Sequence, residues 1–139
     1  MLGILVCTHG MAAKGMVNSA EMICGRQTNL RTVAFKNGET LDQLSENIKR
    51  QLNSLNSQQG TLILTDIKGG SPFNVLVGII LNNEQYQLIT GVNLPMLLEA
   101  LINRQQDGLI ALTKKVLIAG HKGIYHYKFV NSKKLEEEF

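Results

Sequence analysis

Short apolar runs alternate along this chain with longer stretches whose apolar residues recur at helical spacing. The apolar runs predict four strands, over residues 2–8, 30–35, 61–66 and 86–90. The stretches between and after them predict helices, over residues 11–25, 39–55, 71–81, from about 93, and 107–119. A last segment, residues 124–130, alternates aromatic and polar residues and predicts an edge strand.

This alternation of strands and helices predicts an α/β fold with a parallel, flavodoxin-like sheet of four strands and helices on both faces. In that strand order the first and third strands lie side by side. The chain of 139 residues has the length of one domain, which we expect over residues 1–130. Residues 131–139 form a charged C-terminal tail.

Glycine, serine and proline mark the expected helix ends. Gly25 and Gly120 are predicted to stop two helices. Ser71 is predicted as the N-cap of the third helix, with Pro72 at its first helical position. The helix over residues 39–55 has an apolar stripe of Leu41, Leu44, Ile48, Leu52 and Leu55.

Two polar residues follow apolar strands at the edge where α/β proteins keep their chemistry. His9 ends the first strand segment and Asp66 ends the third, so we expect them to face each other. A carboxylate at Nδ1 would fix the imidazole tautomer and leave Nε2 as the nucleophile. Taken alone, His9 also suits a general base, a metal ligand or a structural residue, and Asp66 suits a loop cap.

The sequence Gly69-Gly70-Ser71-Pro72 follows Asp66 and leads into a helix. It serves as a loop with a helix cap, and it also suits an anion site built from free amides and the Ser71 hydroxyl. The two uses are compatible, and the nearby His9 strengthens the second. An imidazole, an orienting carboxylate and a phosphate site together suit a histidine that carries a phosphoryl group.

Composition narrows the choice of partners. The net charge of +3 is small, and the basic residues are scattered, so no nucleic-acid partner is predicted. Cys7 and Cys24 lack metal-ligand spacing, and no second histidine stands near His9, so no metal is expected. A buried free thiol is expected at Cys7.

The start of the chain lacks the features of a signal peptide, and no apolar run reaches the length of a membrane span. These two observations predict a cytoplasmic protein.

Three separate motifs resemble the IIA domain of the mannose-family sugar phosphotransferase system (mannose, fructose, sorbose and N-acetylgalactosamine). They are Thr8-His9-Gly10-Met11-Ala12, Asp66 through Asn74, and Gly91 through Met96, in register over residues 1–130. The resemblance implies four parallel strands plus a C-terminal antiparallel edge strand. It implies a homodimer that exchanges this last strand, which residues 124–130 match.

The resemblance also implies a role for each site residue. His9 would accept a phosphoryl group from phospho-HPr and pass it to a IIB component, which phosphorylates sugar entering through membrane IIC and IID subunits. Asp66 would hydrogen-bond His9, and Gly69, Gly70 and Ser71 would contact the phosphate. No cofactor is implied.

The chain departs from some relatives between Asp66 and Gly69, where it has Ile67-Lys68 in place of Thr-Trp. Ile67 lacks a hydroxyl, and Lys68 is interpreted as a solvated lysine rather than a cation that steers phosphate. His121 and His126 are predicted at the surface or an interface. Three alternatives stay open: a IIA-like subunit of a dihydroxyacetone kinase, a flavodoxin-like flavin or nucleotide binder, and a hydrolase using His9 with Asp66.

Overall fold

A computed structural model describes residues 1–129 of the chain. Four strands are present: β1 (Gly3–His9), β2 (Leu30–Phe35), β3 (Thr61–Thr65) and β4 (Tyr86–Thr90). Five helices connect and follow them: α1 (Ala12–Cys24), α2 (Leu41–Ser54), α3 (Ser71–Ile80), α4 (Leu94–Asn103) and α5 (Leu109–Lys122).

The four strands form one sheet in the order β2-β1-β3-β4, and every neighbouring pair is parallel. β1 therefore lies between β2 and β3, as the flavodoxin-like order predicts. The register pairs Cys7 with Thr65 and His9 with Phe35. The predicted α/β fold with four parallel strands is confirmed.

Helices cover both faces of the sheet and divide the core in two. Alternate residues of β1 and β3 explain this division, because successive side chains of a strand point to opposite faces. Ile4, Val6 and Leu64 pack with residues of α1, α4 and α5. Leu5 and Cys7 lie on the opposite face, which packs with residues of α2 and α3.

α2 follows the predicted pattern with one correction. Its N-terminus is closed by a capping box in which Thr40 and Gln43 satisfy each other's backbone amides. The stripe is buried at Leu44, Ile48, Leu52 and Leu55. Leu41 was predicted as part of that stripe and is exposed, because the helix begins there and its buried face starts one turn later.

The start of α3 differs from the prediction at Ser71. Gly70 is the N-cap, with extended backbone at φ −72° and ψ 168°, and Ser71 is the first helical residue. Pro72 consequently occupies the second helical position, and the Ser71 hydroxyl makes no capping hydrogen bond. Any larger residue is excluded at this N-cap, because a Cβ on Gly70 would lie 2.9 Å from His9 Cε1.

The end of α5 also differs from the prediction. The helix continues through Gly120 and ends at Gly123, which is its C-cap. Gly120 lies where α5 packs on α4, and a Cβ there would approach Met96 Cγ to 2.7 Å. This glycine permits close helix packing and does not terminate the helix.

The edge strand predicted over residues 124–130 is not confirmed. Residues 124–129 form no regular element, and their large apolar side chains are mostly exposed: Ile124, Tyr125, Tyr127 and Phe129. Val130 and the tail over residues 131–139 lie outside the described residues. Up to residue 129, no helix is long and apolar enough to cross a membrane.

Candidate functional site

His9 and Asp66 meet at the carboxyl edge of the sheet, as the strand order predicts. His9 is the last residue of β1, and Asp66 directly follows β3. The His9 side chain is 45% exposed and that of Asp66 is 19% exposed. The pair is therefore anchored on buried strands while its imidazole stays open to solvent and to a partner.

One carboxylate oxygen holds His9 in two places. Asp66 Oδ2 lies 2.9 Å from His9 Nδ1 and accepts a hydrogen bond of 3.0 Å from the His9 backbone N–H. Asp66 Oδ1 accepts a bond of 3.0 Å from the Ile67 backbone N–H. An ionised carboxylate only accepts hydrogen bonds, so the proton is assigned to Nδ1 and the lone pair to Nε2.

These bonds set the ionisation of Asp66. Partial burial acts to raise the pKa of the carboxyl, but the hydrogen bonds from the His9 ring and backbone, and the ring's charge, outweigh it. The pKa of Asp66 is therefore lowered from its usual value. The carboxylate stays ionised and able to stabilise positive charge on His9.

The N-terminus of α3 lies against the exposed edge of the imidazole. A Cβ built on Gly70 would lie 2.9 Å from His9 Cε1 and 3.6 Å from Nε2. The first backbone amides of a helix have no partner within the helix and carry partial positive charge. An anion attached to Nε2 would therefore be next to a favourable electrostatic environment.

The loop before α3 is held in the shape that makes this approach possible. Gly69 has a φ of +81°, a backbone conformation that L side chains rarely adopt. The Gly70 N–H donates to the Ile67 carbonyl at 3.2 Å, and the Asn74 side chain donates to the Gly69 carbonyl at 3.0 Å. Gly70 thus lies beside His9, with Gly69 before it in the loop and Ser71 after it in the first turn of α3.

Phe35 contacts His9 from the β2 side, which sequence reasoning missed. The two ring centroids are 5.9 Å apart, with an interplanar angle of 64°. The Phe35 carbonyl also accepts a hydrogen bond of 2.9 Å from the Gly10 N–H. Only the strand register, which pairs His9 with Phe35, could have indicated this contact in advance.

Thr8 is a second residue missed from the sequence. Its buried hydroxyl accepts a hydrogen bond of 2.8 Å from the Ala13 backbone N–H, near the start of α1. The residue at the helix cap, Met11, makes no such bond with its side chain. Thr8 therefore ties the turn after His9 to α1.

Cys7 lies two residues before His9 and takes no part in the chemistry of the site. Its thiol is fully buried and free, as predicted. Burial, followed by the charges of Asp66 and Glu39, raises the pKa of Cys7 to about 12. A thiol with such a pKa is protonated near neutral pH and is a poor nucleophile.

Exposed apolar and basic residues follow the strand ends that carry His9, Phe35 and Asp66. Met11 is 61% exposed and Ile67 is 60% exposed, and each lies one or two residues from a member of the pair. Lys68, next to Ile67, and Lys36, directly after Phe35 at the end of β2, are also exposed. Within residues 1–129, no three histidine, cysteine, aspartate or glutamate side chains converge in a metal-binding arrangement.

Comparison with known sequences decides the family. Residues 3–117 match the EIIA-man family, described as the fructose IIA component of the phosphotransferase system. The chain belongs to this IIA family. The predicted resemblance to a IIA domain of the phosphotransferase system is therefore confirmed.

Relatives with assigned names agree with the family. The chain is 37% identical over 136 residues to the mannose-specific EIIAB component of Escherichia coli K12, covering 98% of this chain and 42% of that protein. It is 33% identical over 109 residues to the fructose-specific EIIA component of Bacillus subtilis, covering 78% and 75%. The chain thus spans less than half of the EIIAB relative.

Solved structures support the fold. The phosphotransferase system component EIIA from Streptococcus agalactiae superposes with a TM-score of 0.83 at 29% identity, covering 91% of this chain and 97% of that one. The relatives are named as mannose- and fructose-specific components of the phosphotransferase system, and these names do not favour the alternative of a dihydroxyacetone kinase subunit.

Proposed function

We propose that the chain carries a phosphoryl group on Nε2 of His9, accepts it from phospho-HPr and delivers it to a IIB component. The observation that supports this most is the hydrogen bond of 2.9 Å between Asp66 and His9 Nδ1. It directs the ring's lone pair at Nε2 toward the N-terminus of α3. The membrane IIC and IID subunits then take part only indirectly, through IIB.

The chemical step conserves atoms and charge. The Nε2 lone pair of His9 attacks the phosphorus of the donor phosphohistidine, the P–N bond of the donor breaks, and its electron pair returns to the donor ring. His9 becomes a phosphorylated imidazolium whose Nδ1–H donates to Asp66. The ionised carboxylate stabilises that positive ring by a charge-assisted hydrogen bond. Transfer to IIB reverses these changes.

The phosphate is proposed to bind at Gly69, Gly70 and Ser71. The backbone comes close because Gly70 has no Cβ, and the first turn of α3 offers amide N–H groups and the Ser71 hydroxyl. These donors carry no full charge. The phosphoryl group is therefore stabilised without being bound so tightly that onward transfer stops.

The apolar residues around His9 are proposed to dock both protein partners. Met11 is two residues from His9 and Ile67 directly follows Asp66, and both side chains are exposed in the isolated chain. Exposed apolar side chains beside a reactive group are typical of a transient protein contact. Lys68 and Lys36 add positive charge that favours an approaching phosphoprotein.

The protein is further proposed to act in the cytoplasm as a homodimer. β4 is at the edge of the sheet, and a groove of about 210 Å³ beside it is lined by Met96, Leu117 and Ile124 among others. The exposed aromatic residues of the segment 124–129 could pair with this edge in a second copy as an antiparallel strand.

Phosphorylation of purified protein tests the proposal. With phosphoenolpyruvate, enzyme I and HPr, the protein should gain one phosphoryl group that is labile in acid and stable in base. His9→Ala should gain none, whereas His121→Ala, which removes an exposed histidine of α5, should behave as wild type. Asp66→Ala should slow the transfer while circular dichroism stays unchanged. Labelling of His9→Ala would overturn the proposal.

The docking surface has its own test. Met11→Ser combined with Ile67→Ser should reduce kcat/KM for transfer from phospho-HPr but leave the rate from a small donor such as phosphoramidate unchanged. The matched control is Met22→Ser with Ile23→Ser, which changes two exposed apolar residues of α1 outside the proposed surface. Equal losses with both donors would show that the residues act on the chemistry and not on docking.

A further inference from the structure

Phe35 closes the side of His9 that Asp66 and Gly70 leave open. β1 lies between β2 and β3, so the residues that follow β3 approach His9 from one side only. Phe35, at the end of β2, is the registered neighbour of His9 on the other side. The imidazole is thus flanked by groups from both neighbouring strands.

The two side chains share one face of the sheet. Cys7 and Val33 are registered partners two residues earlier, and both belong to the core beneath α2 and α3. His9 and Phe35 follow at the same parity, so they lie on that face too. The observed edge-to-face arrangement, at 5.9 Å and 64°, follows from this placement and is a favourable geometry for aromatic rings.

Phe35 is itself firmly placed. It is half-buried and packs against the core formed by residues of α2 and α3. Its carbonyl accepts the Gly10 N–H, which fixes the backbone directly after His9. A ring anchored in the core can restrain a neighbouring ring that is nearly half exposed.

We propose that Phe35 is a positioning residue for the phosphoryl transfer assigned above, and this proposal rests on that function. Asp66 fixes one atom of the imidazole, Nδ1. Phe35 and Gly70 limit the remaining rotation of the ring from opposite sides. Nε2 is thereby held toward the N-terminus of α3 before any partner arrives.

The expected effect is on the geometry of the ring rather than on its chemistry. Phe35→Leu keeps an apolar side chain in the core but removes the aromatic contact with His9. A displaced reacting atom slows group transfer, and we expect about a tenfold loss of phosphorylation rate. Phe35→Tyr retains the ring and should restore most of the rate.

The matched control is Tyr86→Leu. Tyr86 is also a half-buried aromatic residue packed against the same core, but it belongs to β4, at the opposite edge of the sheet. Its replacement should lower stability in the way that Phe35→Leu does, with no effect on His9. This separates positioning from a general loss of packing.

The experiment compares ring NMR spectra and phosphorylation rates for wild type and the three variants. In Phe35→Leu, the ¹⁵N-labelled His9 ring should show broadened or doubled signals from more than one ring orientation, whereas Tyr86→Leu and Phe35→Tyr should show the single wild-type form. A wild-type His9 spectrum and rate in Phe35→Leu would overturn the proposal. The NMR readout uses unphosphorylated protein, so it stays decisive even if phosphorylation at His9 fails.

Discussion

Gly70 carries a hydrogen atom where other residues carry a Cβ, and this leaves room for the His9 ring. Gly70 has ordinary extended backbone angles that any residue adopts. Glycine is therefore required here because there is no room for a Cβ, and not because of the backbone conformation. The missing Cβ is what allows the imidazole to lie against the N-terminus of α3. Elsewhere in α3 a glycine has open surroundings, as at Gly78.

Gly70→Ala should therefore impair the site and spare the fold. The added methyl group displaces the His9 ring, and phosphorylation should slow by about tenfold or more. Gly78→Ala is the control, because its methyl group meets nothing and improves helix propensity. It should raise the free energy of unfolding by about 0.5–1 kcal/mol at full activity. A Gly70→Ala protein with the wild-type rate would contradict the proposed approach of the phosphate.

Asp66 predicts a pH dependence of stability. Its pKa is lower in the folded protein than in the unfolded chain, so ionised Asp66 stabilises the fold. That contribution is complete above the ordinary pKa of an aspartate, about 4, and is lost as the pH falls through the lowered value. Urea unfolding from pH 2.5 to 7 should show wild type losing stability in acid more steeply than Asp66→Asn. Parallel curves would refute the linkage.

At the scale of secondary-structure elements, one buried arginine joins three parts of the chain. Arg104, just after α4, is almost fully buried. Its guanidinium donates to the carbonyls of Leu2, Thr28 and Asn29 and to the Gln27 side chain. It thus ties α4 to the start of β1 and to the connection between α1 and β2. Burial lowers the pKa of Arg104, and the four acceptors compensate for the lost water.

Arg104→Met should be among the more destabilising substitutions in the chain. It fills similar space but removes the guanidinium donors from the carbonyls of Leu2 and Thr28, and a buried acceptor left without a donor costs roughly 1–3 kcal/mol. We expect a loss of about 3 kcal/mol in the free energy of unfolding, measured by urea denaturation. Arg50→Met is the control, since Arg50 is exposed on α2 and its loss should matter by less than about 0.5 kcal/mol.

The sequence pattern predicts these elements well where burial alone decides them. The strands and the site pair His9–Asp66 follow from apolar runs and from the rule that parallel strands end at one edge. The pattern gives the wrong N-cap at Ser71 and the wrong helix end at Gly120. In both cases a glycine, Gly70 or Gly120, permits close packing between elements, which the local sequence does not reveal. Phe35 was missed for the same reason: its importance depends on register and not on its own segment.

At the scale of the whole molecule, the segment 124–129 exposes four large apolar side chains within six residues. Tyr125, Tyr127 and Phe129 alternate with other residues and would lie on one face of an extended strand. Such a strand needs a partner edge, and β4 is hydrogen-bonded only to β3 in the described chain. This combination supports the proposed homodimer.

Sedimentation should show the wild-type protein as a dimer. Tyr127→Asp with Phe129→Asp places charge on the aromatic face and should give a monomer with an unchanged circular dichroism spectrum. Met22→Asp with Ile23→Asp, which charges an exposed region of α1, should leave the dimer intact. A monomeric wild-type protein at micromolar concentration would argue against strand exchange.

The central claim is that Nε2 of His9 carries the phosphoryl group. Protein labelled with ¹⁵N at histidine and phosphorylated through HPr can be examined by ³¹P and ¹⁵N NMR. We expect phosphorus coupled to Nε2 of His9, with Nδ1 still protonated and hydrogen-bonded to Asp66. Phosphorus coupled to Nδ1, or phosphate on Ser71 or on His121, would contradict it.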